Sequence, residues 1–228
     1  MTGSRTPWIA LGVAVLSVAG SVARGQTRPA DVLPGGYGSL TQNDLSLRIR
    51  TNDIDIRFVP LDPRVTRLLG KDSWESLRSV VVSRRAAIDS VANASGISRA
   101  GLAFVTFFAL QANARFDPQS VSVRVRSREF RPLAIVPFSG RFTSQQLDVR
   151  EQVSAIYLFE EELPVNDSFV VLYAGEASDD WNNKQRTLER ERGRVALRAQ
   201  TSTRDTVSPG PSPADSAAPD TAAADTGH

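Results

Sequence analysis

The chain has 228 residues, a net charge of +2, one histidine and no cysteine. Without cysteine it can form no disulfide, no thiol nucleophile and no cysteine-ligated metal site, and its single histidine is the last residue, His228. We therefore expect no metal site, no cofactor and no histidine-dependent triad in a folded body. The near-neutral charge also argues against a nucleic-acid partner, which would need clustered basic residues.

The first 25 residues have the layout of a secretory signal peptide. Arg5 supplies a positive start, residues 8–22 form an uncharged and mostly apolar run, and small residues surround Ala23. This run is shorter than the ~18–20 apolar residues that a membrane span needs. We therefore expect export to the periplasm or the extracellular space, with membrane contact only through a transient signal peptide.

Composition divides the rest of the chain into three parts. Residues 26–44 are rich in proline and glycine and are predicted to be a linker. Residues 201–228 consist mainly of Ser, Thr, Pro, Ala, Asp and Gly, with no Leu, Ile, Phe, Trp or Tyr. Such a segment has little apolar surface to bury and is expected to stay disordered. A single β-rich domain is therefore predicted over residues 45–200, which is long enough to form a core.

The first half of this domain is predicted to form two strands and then helices. Apolar residues alternate with polar ones over residues 45–50 and, in shifted phase, over residues 54–58. A hairpin or a bulge must absorb the shift. Asp62 and Pro63 are typical of a helix N-cap and first turn, and apolar residues recur at helical spacing from Trp74 onwards. We expect helices over about residues 62–92.

The second half is predicted to form further strands and a last helix. Residues 102–110 are apolar on both faces, with Phe104 and Phe108 on one side, which predicts a strand buried on both sides. Strand patterns follow near residues 121–126, 130–138, 153–159 and 168–173. A helix is expected over about residues 180–200. This helix has a thin apolar seam formed by Trp181, Leu188 and Val195. The seam predicts docking on the body or, alternatively, a coiled coil with a partner helix.

About seven strands with inserted and C-terminal helices favour a β-sandwich. Four short motifs lie between residues 102 and 181: Phe116-Asp117-Pro118, Arg131-Pro132, residues 155–159 and residues 170–173. This stretch, about a third of the chain, resembles the immunoglobulin-like modules of secreted bacterial proteins of unassigned function. The Cys…Trp…Cys signature of antibody-type domains is absent. The resemblance implies a mainly β (α+β) fold of the immunoglobulin-like antiparallel β-sandwich type. It also implies a binding or scaffolding role, and it supplies no catalytic residues that could be transferred to this chain.

Two groups of arginines are candidate binding residues. They are Arg48 and Arg50 on an early strand, and Arg124, Arg126, Arg128 and Arg131 on a later one. If the strands were neighbours, the guanidinium groups could form a patch for an envelope protein or an anionic glycan. The alternative is a solvated sheet face on which these arginines pair with Asp55, Glu129 or Glu151.

Glu160 and Glu162 are the candidates for catalysis. A glycosidase needs two carboxylates, ~5 Å apart in retaining and ~6.5–9.5 Å apart in inverting enzymes. On an extended strand these two would lie on one face, about 6.5 Å apart. The alternative is an acidic loop entry that keeps a sheet edge soluble.

The sequence therefore favours an exported, non-enzymatic binding or assembly protein of the cell envelope. The alternative is a carboxylate-dependent hydrolase acting on envelope glycans, with Glu160 and Glu162 as acid and base. No pattern in the sequence indicates an oligomeric state.

Overall fold

The computed structural model of the chain describes residues 35–206. The predicted signal peptide, residues 26–34 of the predicted linker and residues 207–228 of the predicted tail lie outside the described residues. Within residues 35–206, eleven strands form three antiparallel sheets, accompanied by five α-helices and two 3₁₀ turns. The fold is therefore mainly antiparallel β with a C-terminal helix, as the alternation of apolar residues predicted.

The strands are numbered in chain order. They are β1 Leu47–Arg50, β2 Ile54–Pro60, β3 Gly101–Ala109, β4 Ala114–Arg115, β5 Ser122–Val125, β6 Arg128–Phe130, β7 Ala134–Pro137, β8 Gln146–Leu147, β9 Gln152–Phe159, β10 Val170–Tyr173 and β11 Glu176–Ser178. A five-stranded sheet has the order β1-β2-β3-β9-β7, a four-stranded sheet has the order β11-β10-β5-β6, and β4 pairs with β8.

A hairpin absorbs the phase shift between the first two strands. Residue Leu47 of β1 lies opposite Phe58 of β2, and Arg50 lies opposite Asp55. The turn is closed by Thr51, whose backbone N–H donates to the carbonyl oxygen of Ile54 at 2.9 Å. Both strands therefore present their apolar residues to the same side.

The helices are α1 Gln42–Leu45, α2 Pro63–Thr66, α3 Lys71–Ser83, α4 Arg85–Ala94 and α5 Trp181–Thr206. The side chain of Asp62 caps α2 by accepting a hydrogen bond from the Arg64 N–H at 2.8 Å, as predicted. The helical stretch predicted over residues 62–92 is thus three separate helices. Gly70 precedes α3, and Arg84 leaves helical geometry (φ −116°, ψ 8°) between α3 and α4.

One face of the five-stranded sheet forms the centre of the core. Its fully buried side chains are Ile56, Phe58, Val105, Phe107, Ala155 and Tyr157. The ring of Phe107 lies 4.6 Å from Phe116 and 5.9 Å from Tyr173 of the four-stranded sheet, measured between ring centroids. Burial of these aromatic surfaces is the main favourable contribution to folding here.

The described part of the predicted linker packs on the body. Leu40 is almost fully buried, and Gly35 lies so close to Trp74 that a Cβ atom would be 2.1 Å from its ring. The backbone N–H and the hydroxyl of Ser39 both donate to the Glu191 carboxylate in α5. In the structure, the described residues of the predicted 26–44 linker therefore contact the body of the fold through Gly35, Ser39 and Leu40.

The C-terminal helix docks along its apolar seam. Trp181, Leu188 and Val195 are all buried, and the indole N–H of Trp181 donates to the Val165 carbonyl oxygen at 3.2 Å. The body therefore covers the seam that could otherwise have met a partner helix. The helix also runs beyond the predicted end at residue 200, to Thr206. No helix within the described residues is long and apolar enough to cross a membrane.

Candidate binding groove

The two faces of the central strand β3 differ in burial. Its odd-numbered residues, from Gly101 to Ala109, are buried in the core. Its even-numbered residues are only half-buried, among them Phe104, Thr106 and Phe108. The prediction of a strand covered on both sides therefore holds only for one face. The partly covered face is the starting point of a candidate site.

Helices α3 and α4 cover only one end of this second face. Val81 of α3 and Ile88 of α4 line a cavity together with Leu102, at the beginning of β3. Next to it, the ring of Phe138 meets Phe104 edge-on at 5.7 Å. Beyond Phe104 the sheet is open, and it forms a groove of about 450 Å³.

We call this the sheet groove, and it is lined by Arg57, Phe104, Thr106, Phe108 and Ser154, with Arg48 and Asp55 at one side. Strand pairing places Arg57 opposite Thr106 and Thr106 opposite Ser154. Side chains at paired positions on one face are ~4.5–5.5 Å apart at Cβ. A polar row therefore crosses three strands at the middle of the groove.

Two hydroxyl groups in this row are already bonded to each other. The oxygens of Thr106 and Ser154 are 2.9 Å apart, and either can be the donor. A hydroxyl has one proton to donate and two lone pairs to accept with. Whichever hydroxyl donates within the pair, the proton of the other remains available for a ligand beside Arg57.

Apolar surface lies on both sides of the polar row. Val59 lies opposite Phe104 in the sheet, on the side that α3 and α4 approach. Phe108 lies opposite Asp55 on the other side. The groove thus combines donors at its centre with aromatic rings at its flanks, which is the usual arrangement of a small-ligand site.

The charges of the groove are unevenly paired. The guanidinium of Arg48 bonds the Asp55 carboxylate at 2.9 Å, as the alternative interpretation of the arginines predicted. Arg57 lies opposite Arg48 in the hairpin, and no acidic side chain among residues 35–206 forms an ion pair with it. The guanidinium of Arg57 is therefore free to bind an anion.

The six predicted arginines lie in two separate sheets. Arg48 lies at the sheet groove, whereas Arg50 lines a different cavity beside Arg115 and Tyr173. The other four belong to the β5–β6 hairpin or follow it, and they are Arg124, Arg126, Arg128 and Arg131. β1 pairs with β2, while β5 pairs with β6 and β10. Strand pairing therefore does not join the two groups.

Acidic side chains meet part of the second group. Arg128 bonds Glu161 at 3.0 Å and lies over the Phe130 ring, and Arg131 lies 3.6 Å from Glu129. Arg124 and Arg126 are exposed, and Arg126 leaves the strand with a positive φ of 53°. The β5–β6 hairpin therefore presents two exposed arginines and two that have ionic partners.

The predicted catalytic glutamates follow the end of a strand. β9 ends at Phe159, so Glu160 and Glu162 lie outside the extended segment that their assumed spacing required. The carboxylate of Glu162 lies 3.4 Å from Arg64 and 3.8 Å from Arg99. No cluster of three or more potential metal ligands occurs within the described residues.

The residues at the centre of the groove were not identified from the sequence. Arg57, Thr106 and Ser154 each appear as ordinary polar positions in alternating strands. The available signal was the pair of phenylalanines at 104 and 108, which share a face with Thr106. The sequence predicts burial of that face, and only the lengths and positions of α3 and α4 show that part of it stays open.

Comparison of the chain with protein-family models, with curated proteins and with solved structures finds no match. The geometry of the sheet groove is therefore the basis for a functional interpretation.

Proposed function

We propose that the protein is an exported, non-enzymatic binding protein of the cell envelope, and that the sheet groove is its contact surface for an anionic ligand. The observation that carries this proposal is the guanidinium of Arg57, which has no acidic partner among residues 35–206 and lies beside Phe104 and Phe108. Export rests on the apolar run of residues 8–22.

The position of Arg57 opposite Arg48 supports a site for negative charge. Like charges directly opposite each other on neighbouring strands are unfavourable. Asp55 offsets one of the two charges, because it bonds Arg48. A bound anion at Arg57 would offset the other, which gives a physical reason for two arginines to share this face.

An immunoglobulin-like sandwich is the finer fold assignment within this proposal. The ring contact between Phe107 and Tyr173 supports face-to-face packing of the five-stranded and four-stranded sheets. A second link is the hydroxyl of Tyr157, which donates to the carbonyl oxygen of Pro118 at 2.9 Å. In such a module the inward-facing residues of both sheets form the core.

The β5–β6 hairpin is the second surface on which an envelope protein or an anionic glycan could bind. Its exposed arginines, Arg124 and Arg126, favour such a contact. Glu161 and Glu129 offset the charges of Arg128 and Arg131. We therefore favour the groove, where a free guanidinium and aromatic rings occur together. The hydrolase alternative has no observation in its favour, because Glu162 is engaged by Arg64 and Arg99.

Charge reversal at two matched arginines tests the choice of surface. The full chain is purified from the envelope of its host as wild type, Arg57→Glu and Arg124→Glu, and the molecules that it retains, small ligands included, are identified by mass spectrometry. Both substitutions make the same change of charge on a strand. We expect Arg57→Glu to abolish the retained ligand and Arg124→Glu to leave it unchanged.

The converse pattern would assign the contact to the β5–β6 hairpin. Monomer that retains no ligand, from all three chains, would contradict the binding proposal. Circular dichroism of each purified variant checks that the charge reversal has not unfolded the chain.

A further inference from the structure

We infer that the sheet groove binds a small organic acid, one carboxylate group attached to an apolar alkyl or aryl body. This inference rests on the proposed function and adds the chemical class of the ligand. It is argued from the number of free charges, from the donors beside them and from the position of the apolar surface.

The charge of the groove matches a single negative charge. Of the three ionisable side chains that line it, Arg48 and Asp55 neutralise each other across 2.9 Å. Arg57 is left as one uncompensated cation. A monoanion completes this balance, whereas a phosphate dianion would need a second free cation, and no further basic side chain lines this groove among the described residues.

The donors favour a planar carboxylate. A guanidinium offers parallel N–H groups whose spacing fits the two oxygens of a carboxylate. Thr106 lies next to Arg57 in the sheet and is bonded to Ser154, so a hydroxyl proton of this pair is available beside the guanidinium. The ligand carboxylate can therefore accept from Arg57 and from one hydroxyl at the same time.

The apolar surface begins close to that position. Phe104 is two residues from Thr106 on the same face, which corresponds to about 7 Å along the strand. Its ring is only half-buried and is held edge-on by Phe138 at 5.7 Å. An alkyl or aryl group attached to the carboxylate would cover this surface.

The size of the groove sets the scale of the ligand. Its volume of about 450 Å³ falls within the ~300–1,000 Å³ that is typical of small-molecule sites. The groove is open along the sheet, so binding of moderate strength is expected, and the apolar body contributes in proportion to the area it buries.

Calorimetry with three matched probes tests the inference on the full chain. The probes are 4-phenylbutyrate, which has both features, 4-phenylbutanamide, which lacks the charge, and acetate, which lacks the body. We expect 4-phenylbutyrate to bind at least about tenfold more tightly than either of the others. It binds more tightly than the amide because hydrogen bonds to charged groups are stronger than neutral ones, and more tightly than acetate because its body buries apolar area.

Three variants locate the binding. Arg57→Gln should remove the preference for the acid over the amide, and Phe104→Ala should weaken both probes. Arg124→Gln, which makes the same change on the other sheet, should change neither. If Arg57→Gln fails to fold, Thr106→Val takes its place and should reduce the preference by several fold, since it removes a hydroxyl at nearly constant shape.

Two results would overturn the inference while leaving the proposed function standing. The first is equal binding of acid and amide, and the second is displacement of 4-phenylbutyrate by inorganic phosphate at the same concentration. Absence of any binding would also overturn it. The proposed function itself fails only if the chain retains no ligand from the envelope or retains one independently of Arg57.

Discussion

Glu191 is a buried acid that joins the two ends of the described chain. Its side chain is 1% exposed, and it accepts hydrogen bonds from the Ser39 N–H at 2.7 Å and the Ser39 hydroxyl at 2.9 Å. Arg194 and Arg198 approach the same carboxylate at 3.4 and 3.5 Å. Arg198 also donates to the carbonyl oxygen of Tyr37, so the carboxylate organises a small network between residues 37–39 and α5.

Glu191→Ala should lower the free energy of unfolding by about 1–3 kcal/mol, because buried hydrogen bonds to a charged group are lost. Glu189→Ala is the matched control: it lies in the same helix, is 66% exposed and pairs with Arg192, so a change of ~0–1 kcal/mol is expected. Urea denaturation measures both. Equal losses in the two variants would show that the Ser39 contact contributes nothing.

Tyr157 and Tyr173 make stability depend on alkaline pH. Burial raises the pKa of Tyr157 and of Tyr173 above the ordinary value of 10.0. The unfolded chain releases these protons near pH 10 while the folded chain retains them. Their contribution is therefore fully present below pH 10 and is lost as the pH rises further, at up to about 1.4 kcal/mol per pH unit for each tyrosine.

Tyr157→Phe should flatten this alkaline loss. At neutral pH the variant loses the hydrogen bond to Pro118 and about 1 kcal/mol of stability. Above pH 10 its free energy of unfolding should fall less steeply than that of the wild type, as measured by urea denaturation at several pH values. An unchanged slope would mean that Tyr157 ionises freely in the folded state.

At the scale of elements, the break between α3 and α4 fixes both helices to the five-stranded sheet. Arg84, at the break, donates to the Phe138 carbonyl oxygen at 2.9 Å, and its guanidinium lies 4.9 Å from the centre of the Phe138 ring. Phe138 in turn supports the ring of Phe104 in the sheet groove. Phe138 therefore links the placement of the two helices to the sheet groove.

Arg84→Ala should cost about 1–3 kcal/mol of unfolding free energy, since it removes a partly buried charged hydrogen bond and a cation–π contact. The neighbouring Arg85 is a close control: it is exposed and forms an i,i+4 pair with Asp89, worth ~0.3–0.5 kcal/mol. Thermal unfolding of both variants measures the two losses of stability. A larger loss for Arg85→Ala would contradict this account of the helix break.

Elements with strong local patterns were predictable from the sequence. The β1–β2 hairpin follows from its shifted alternation, α2 from Asp62 and Pro63, and α5 from its apolar seam. The break at Arg84 was not predictable, because apolar residues keep helical spacing across it. Arg84 at the break makes a tertiary contact with Phe138, which no local pattern encodes.

At the scale of the whole molecule, the surface that each element covers could not be predicted from the sequence. Residues 35–44 are rich in glycine, which by itself indicates a linker. At Gly35 and Gly38, however, Trp74 and the Leu68 backbone leave no room for a Cβ atom. Likewise, the face that carries Phe104 and Phe108 was expected to be buried. Helices α3 and α4 reach only one end of it, and the groove is the surface that remains.

The central claim is that an anionic ligand binds beside Arg57 on this open face. Amide chemical-shift mapping of the isotope-labelled chain during titration with 4-phenylbutyrate tests it most directly. We expect the largest shifts at Arg57, Thr106 and Ser154, and their disappearance in Arg57→Gln. Shifts centred on Arg124 and Arg126, or no shifts at all, would contradict the account.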